Sequence, residues 1–378
     1  MSPARAFGGI AAGALFLSPA LAVPATAQDE PLPPPPGLDD GVAGYRPPAD
    51  LTKVPGMPKH KVRKTPWGEP DLRGTWPLDS LGGLPMQRTA AQGERVFLTQ
   101  EEYQAVAARM KAAQEAYARE DEQDRIGMGH WVEMTGAGVR TSLLIDPPDG
   151  RLPALTEEGK RRAALMRSSW VPGQTFEWVN DFDNWDRCIT RGFPASMLPF
   201  RYNNGVRIFQ APGYVVVALE MIHEARVIPT DGSQHAPAAI GQWFGDSRGH
   251  WEGNVLVVET ANLKPGASAL NMATIGVPPN NTLPMSSEAK VIEKFALNGR
   301  DVLVYEMTYS DPLIWQAPFT VRMDIPRNDD YRFYEYACHE GNVQLRNYIT
   351  ASRAQRAQEA AQARVALVKT GALAGGGR

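Results

Sequence analysis

Charged and titratable side chains recur inside the strand-like runs of the second half of this chain, and these are the residues with chemistry to offer. In YVVVALEMIHEARVI, strict alternation along one continuous strand puts Val215, Val217, Leu219, Met221, His223, Ala225 and Val227 on one face. Glu220, Glu224 and Arg226 fall on the other. Asp246, Arg248 and His250 share a face of a later arm, Glu259, Glu293, Glu306 and Glu335 each interrupt a further apolar run, and His339 stands between Cys338 and Glu340. A histidine beside a carboxylate is the minimal general acid/base unit. His223 and His339, with Glu224 or Asp246 to orient them, are therefore the catalytic candidates. Arg226 and Arg248, whose planar forks suit carboxylates, and Glu306 and Glu340 are the candidate ligand contacts. The plainer reading is a solvated outer face with internal Arg–carboxylate pairs. What favours a cavity is the set, since charges buried unpaired among Val, Tyr and Phe are costly.

Gly245-Asp246-Ser247-Arg248-Gly249 spells the G-x-S-x-G of a nucleophile elbow. That elbow needs a strand, a sharp turn carrying the serine, and then a helix. Here His250-Trp251, a Glu-Gly-Asn turn and another strand-like run follow, so Ser247 is expected inside one arm of a hairpin. Its flanking glycines are expected to serve a bulge or close strand packing.

Other chemistries lack a signature. There is no H-E-x-x-H, no C-x-x-C and no compact ligand spacing, so no metal site is expected; one would have to be assembled from separate strands. Neither G-x-G-x-x-G nor G-x-x-x-x-G-K precedes a helix, and no cofactor is expected. His60 and His235 fall in a spacer and in the loop DGSQHAPAA and read as solvated, while His130 in GMGHW carries no assignment. Arg187 and Arg191 flank Cys188 in WDRCITRGFP and are read as paired internally or facing an acidic ligand.

The elements that must position these groups are mainly strands. From about Val206, short runs rich in Val, Ile, Tyr and Phe alternate with Pro-Gly, Asp-Gly and Asn-Gly turns, ending with YRFYEYAC. About eight or nine in succession form an antiparallel meander, and closing it into a barrel would remove its edges. Two helices are expected before it. One starts at Thr99, where Glu102 completes a capping box and Tyr103, Val106, Met110, Ala113 and Tyr117 share a face. The other starts at Thr156 and runs through GKRRAALMRSSW. The division expected is a signal peptide over 1–27, a proline-rich spacer over 28–65, a helical and irregular region over 66–200, the β region over 201–342, and a C-terminal helix with a flexible tail over 343–378.

The first residues carry Arg5, an apolar stretch from Phe7 to Leu17 and an Ala25-Thr26-Ala27 cleavage pattern, which reads as an export signal. No segment approaches the roughly 18–20 apolar residues of a membrane helix, so no membrane insertion is expected. In an oxidising compartment Cys188 and Cys338 are read as a disulfide, with two separate buried thiols as the alternative. The 378 residues, 43% hydrophobic with a formal charge of −3 and no basic block, suffice for a real core and give no reason to expect nucleic acid.

The strings PDLRGTW, RCITRGFP, APGYVVVALEMIHEARVIPTDG, WFGDSRGHWEGNVLVVET and YEYACHEGN resemble a family of exported bacterial proteins, from about Pro70 to about Asn342. The resemblance implies export and supplies no catalytic assignment. Gly74-Thr75-Trp76 ahead of a strand meander is similar to the G-x-W opening of lipocalin-like barrels. The expectation is a mainly β chain with flanking α-helices, built on an antiparallel lipocalin-like (calycin-type) barrel of about eight strands. It would be periplasmic or secreted and bind a small organic, acidic molecule in a polar-lined cavity. The alternatives are a metal-independent acid/base enzyme using the same cavity, acting as hydrolase, lyase or isomerase, and an envelope interaction protein attached through its spacer and C-terminal helix. No protein partner is specified.

Overall fold

The computed structural model describes residues 45–59, 61–81, 83–123, 132–133, 136–169, 173–265, 270–271 and 282–369. The export signal, residues 28–44 of the spacer, His60, His130 and the tail after 369 lie outside the described residues. In chain order the elements are β1 (Gly74–Thr75), α1 (Gln100–Glu122), β2 (Leu144–Asp146), α2 (Glu157–Leu165), β3 (Val206–Ala211), β4 (Tyr214–Leu219) and β5 (Ala225–Pro229). There follow β6 (Asp246–Glu252), β7 (Val255–Ala261), β8 (Leu270–Asn271), β9 (Thr282–Leu283), β10 (Lys290–Asn298), β11 (Val302–Ser310), β12 (Phe319–Pro326) and α3 (Gln344–Lys369).

The chain is mainly β. One antiparallel sheet has the order β1-β3-β4-β5, a second has the order β2-β12-β11-β10-β7-β6, and β8 pairs with β9. No ladder joins β5 to β6, although the two run side by side. Both sheets turn their inner faces to one core: Val215, Val217 and Ile228 from the first meet Phe295, Tyr305, Met307, Val321 and Met323 from the second. Trp76, Phe193, Phe295, Tyr305, Tyr309 and Phe319 are fully buried and fill the space between the sheets. The cavities described below lie open to solvent at the surface.

Local signals account for the helices. Thr99 and Glu102 cap α1 reciprocally, with Glu102 N–H donating to Thr99 Oγ1 at 3.2 Å and Thr99 N–H to Glu102 Oε2 at 2.9 Å. Tyr103, Ala107 and Met110 are its buried face. Thr156 caps α2 by accepting from Gly159 N–H at 2.9 Å. That helix stops at Leu165, short of the expected Trp170. The amides of Ser168 and Ser169 are captured instead by the side chains of Gln174 and Asp186, which offer the backbone a partner outside the helix.

Two strand expectations are corrected. YRFYEYAC is an arm outside any sheet, anchored at particular residues: Tyr331 Oη bonds Glu220, Tyr334 N–H donates to Glu220 Oε1, and Phe333 covers Gly205. Its alternation reflects those anchor points and no ladder. YVVVALEM and HEARVIP, two runs of the sequence, form separate strands, so the facing read on the condition of one continuous strand does not hold. A turn at Met221–His223, with positive φ at Ile222 (59°) and His223 (43°), separates β4 from β5 and resets the alternation. Arg226 and Ile228 therefore point inward, Val227 is 58% exposed, and His223 is exposed. The described part of the expected spacer is largely exposed but touches the body of the protein at particular points. Tyr45 stacks on Tyr103 with centroids 4.5 Å apart and donates to Leu98 O, and Pro55 O accepts from Arg322.

Cys188 and Cys338 form a disulfide with a sequence separation of 150 and Cα atoms 5.8 Å apart. Closing so long a loop restricts the unfolded chain, so replacing both cysteines by alanine is expected to lower stability by roughly 3–5 kcal/mol. Guanidinium denaturation of the variant, and of the wild type with reductant, checks this by showing the same loss.

Candidate active site

The site forms where the chain enters β6. Gly245 has φ +67°, and a Cβ there would sit 2.6 Å from Ala261 O, so the sharp approach to the strand needs glycine. Gly249 faces β5, where a Cβ would meet Ile228 and Thr230 side chains at 3.1 Å; this is the close packing of β5 beside β6. Between the two, Ser247 is buried. Its hydroxyl is 2.8 Å from Thr260 Oγ1 and accepts from Arg226 Nη2 at 3.1 Å. Ser247 is thus a core hydrogen-bonding group within a strand, without the context of a nucleophile.

Asp246, the first residue of β6, is the organising group. It is 7% exposed, and its Oδ2 accepts from Ala236 N–H at 2.7 Å and lies 3.1 Å from His235 Nδ1. Arg248 pairs with Asp246 Oδ1 at 2.8 Å and donates to Gln234 O at 2.9 Å, and Asn262 Nδ2 donates to Ala236 O at 2.8 Å. The segment Gln234-His235-Ala236 is therefore pinned on three sides. An ionised carboxylate only accepts, so His235 Nδ1 carries the proton and Nε2 presents a lone pair. Glu259 Oε1 stands 3.8 Å from that Nε2. His235 and Glu259 line a cavity of about 740 Å³ with Lys290, Asp311, Trp315 and Pro318. Asp311 is held by Ser286, through N–H at 2.7 Å and Oγ at 2.6 Å, and by Tyr309 Oη at 3.3 Å. This is a base with an orienting acid at a cavity large enough for a small organic molecule. Among the described residues, no three His, Cys, Asp or Glu side chains are grouped as metal ligands.

The other expected site residues are dispersed. Of the eight candidates, the structure joins Asp246 and Arg248, and the histidine they hold is His235; neither His223 nor His339 takes that place. His339 and Glu340 are exposed on the turn after Cys338, and His223 is exposed on the turn before β5. Arg226 is buried against Glu293 at 2.8 Å from Oε1, with Tyr305 Oη donating to the same carboxylate at 2.9 Å and Phe193 under the guanidinium at 4.2 Å. Glu306 faces its cross-strand neighbour Arg322 at 2.8 Å on the opposite face of β11. These two pairs realise the plainer alternative, internal compensation of charge.

Glu224 is half-buried, with Thr190 Oγ1 donating to it at 3.2 Å. Burial pushes its carboxyl up to about 8, against a smaller lowering by Thr190. A folded-state value above the unfolded one means that the fold holds this proton more tightly. Its contribution is complete below the unfolded value near 4.5 and is lost as pH rises through about 8. Glu224→Gln is expected to flatten the fall in stability between those values, as read from denaturation midpoints across pH.

His235 was expected to be a solvated loop residue, and its role was not legible. The one local hint is that SQHAP shortly precedes an aspartate opening a strand, which lets a short loop fold back on it. A second cluster also went unread. Tyr331 Oη lies 2.9 Å from Glu133 Oε2 and 2.8 Å from Glu220 Oε2. Burial, with Glu220 nearby, pushes the Glu133 carboxyl above its usual range.

Among the described residues no helix is long and apolar enough to cross a membrane. Comparison of the chain with protein-family models, with curated proteins and with solved structures gives no match.

Proposed function

We propose that this is an exported protein, periplasmic or secreted, whose two sheets curl into a lipocalin-like wrap and whose cavity beside His235 accepts a small organic molecule and moves a proton on it. The observation that carries the reading is the His235–Asp246 contact at 3.1 Å, with Asp246 itself fixed by Ala236 N–H and Arg248. In this reading His235 Nε2 takes the proton, Asp246 keeps the imidazole in the useful tautomer and Glu259 stabilises the imidazolium that forms. Lys290 in the lining steadies negative charge that develops on the substrate. The reaction class is metal-independent hydrolysis, elimination or isomerisation. The Ala25-Thr26-Ala27 pattern and the disulfide support the compartment.

The test incubates the purified chain with activated esters, lactones and enolisable keto acids, following hydrolysis by absorbance and proton exchange in heavy water by NMR. One class is expected to react with the wild type and to lose that reaction in His235→Ala, with circular dichroism unchanged. Equal rates in both proteins, or no reaction of the wild type across the panel, would overturn the proposal.

A further inference from the structure

A second cavity, of about 450 Å³, has Cys338 of the disulfide in its lining and a different chemistry. Phe182, Trp185, Tyr202, Tyr336 and Tyr348 supply ring surface, Asp186 supplies a carboxylate, and no Lys, Arg or His lines it among the described residues. Its two walls come from segments far apart in sequence, one before β3 and one running from the chain after β12 into the first turns of α3, which Cys188–Cys338 ties together. Asn342 crosses the seam, donating to Asp186 O at 2.9 Å.

The Asp186 carboxylate is held in place by neutral donors only: Ser169 N–H at 2.8 Å, Asp183 N–H at 3.3 Å, and the hydroxyls of Ser168 and Ser169. Asp183 lies behind it, buried, with Oδ2 lacking any hydrogen-bond partner. Neither acid has an ion-pair partner among the described residues. The aromatic cluster already receives a cation from within, since Arg191 stacks on Trp185 and Phe200 at 5.6 and 5.0 Å. Burial and the neighbouring Asp186 hold the Asp183 carboxyl above its usual range, which marks a place where added positive charge would be favourable, and ring faces attract cations.

We infer that this cavity binds a small organic cation, an alkylated ammonium group seated among Trp185, Tyr202, Tyr336 and Tyr348 with Asp186 as its counter-ion. It is a separate site from that of His235 and holds whether or not the latter is catalytic.

The test is isothermal titration of the oxidised full chain with choline and with its uncharged isostere 3,3-dimethyl-1-butanol. Choline is expected to bind about tenfold tighter or more, and Asp186→Asn to weaken it by about the same factor. Because Asp186 also organises its serines, Tyr336→Leu provides a second variant with the same expected loss, while His235→Ala leaves choline binding unchanged. Equal affinity for the isostere, absence of choline binding, or wild-type affinity in both Asp186→Asn and Tyr336→Leu overturns the inference.

Discussion

Arg226→Met is expected to lower the unfolding free energy by about 3–5 kcal/mol, as much as truncating a large core side chain. The guanidinium is 2% exposed and its partner Glu293 is 0% exposed, so removing the cation strands an anion in the core. Ser247 and Thr260, which receive Arg226 Nη2 at 3.1 and 3.2 Å, lose a donor as well. Tyr305 Oη alone would remain on Glu293. Denaturation by guanidinium measures the loss. The paired change Arg226→Met with Glu293→Leu is expected to recover most of it, because two apolar groups of similar volume leave no charge to desolvate. A single-variant cost below about 1 kcal/mol would show that water or a proton reaches Glu293 easily, and the burial argument would fail.

Turnover by His235→Ala, on whichever substrate class the panel identifies, is expected to fall by about a hundredfold or more, the usual contribution of a positioned general base. Asp246→Asn should approach the same loss by another route. An asparagine amide can donate to Nδ1 and so invert the tautomer, placing the proton on Nε2 where a lone pair is needed. Arg248→Lys separates orientation from charge: the ammonium keeps the positive charge beside Asp246 but cannot hold Asp246 and Gln234 O together as the guanidinium does. Its kcat is expected to fall by less than that of His235→Ala, with folding intact. Steady-state kinetics on the three variants read the order, and a full rate in Asp246→Asn would remove the orienting role.

The partner of Arg226 illustrates how far strand periodicity reached. Alternation marked Glu293 as unusual within VIEKF and Arg226 as unusual within HEARVI, and both are indeed special. It placed Arg226 on the face opposite Val215 and Val217, whereas the turn at Ile222 and His223 brings it inward beside them. A two-residue period carries no information across a break in the strand, and Glu220 beside that break has a carboxylate that gathers Gly205 N–H, Tyr331 and Tyr334 from remote segments.

Glu306 shows the converse. Its mid-run position was legible, but whether it faced a cavity or a neighbour was decided by the register of β11 against β12, which sets it opposite Arg322.

By itself, the sequence determined what short-range forces decide. Thr99 with Glu102 and Thr156 specify helix starts because a cap acts within one turn. Most of the runs from VRIFQ to FTVRMDI specify strands, apart from the turn at His223 and the residues before Asp246, because side chains alternate wherever backbone is extended. The two cysteines allow a single intramolecular pair, with separate thiols as the alternative, and the tertiary structure decided that the pair forms. Only the tertiary structure decided which carboxylate meets which histidine, which arginine is buried, and which rings surround Asp186. Those contacts join segments separated by a loop, a turn or the closed disulfide loop, and their geometry follows from packing the whole core, which no local period or cap encodes.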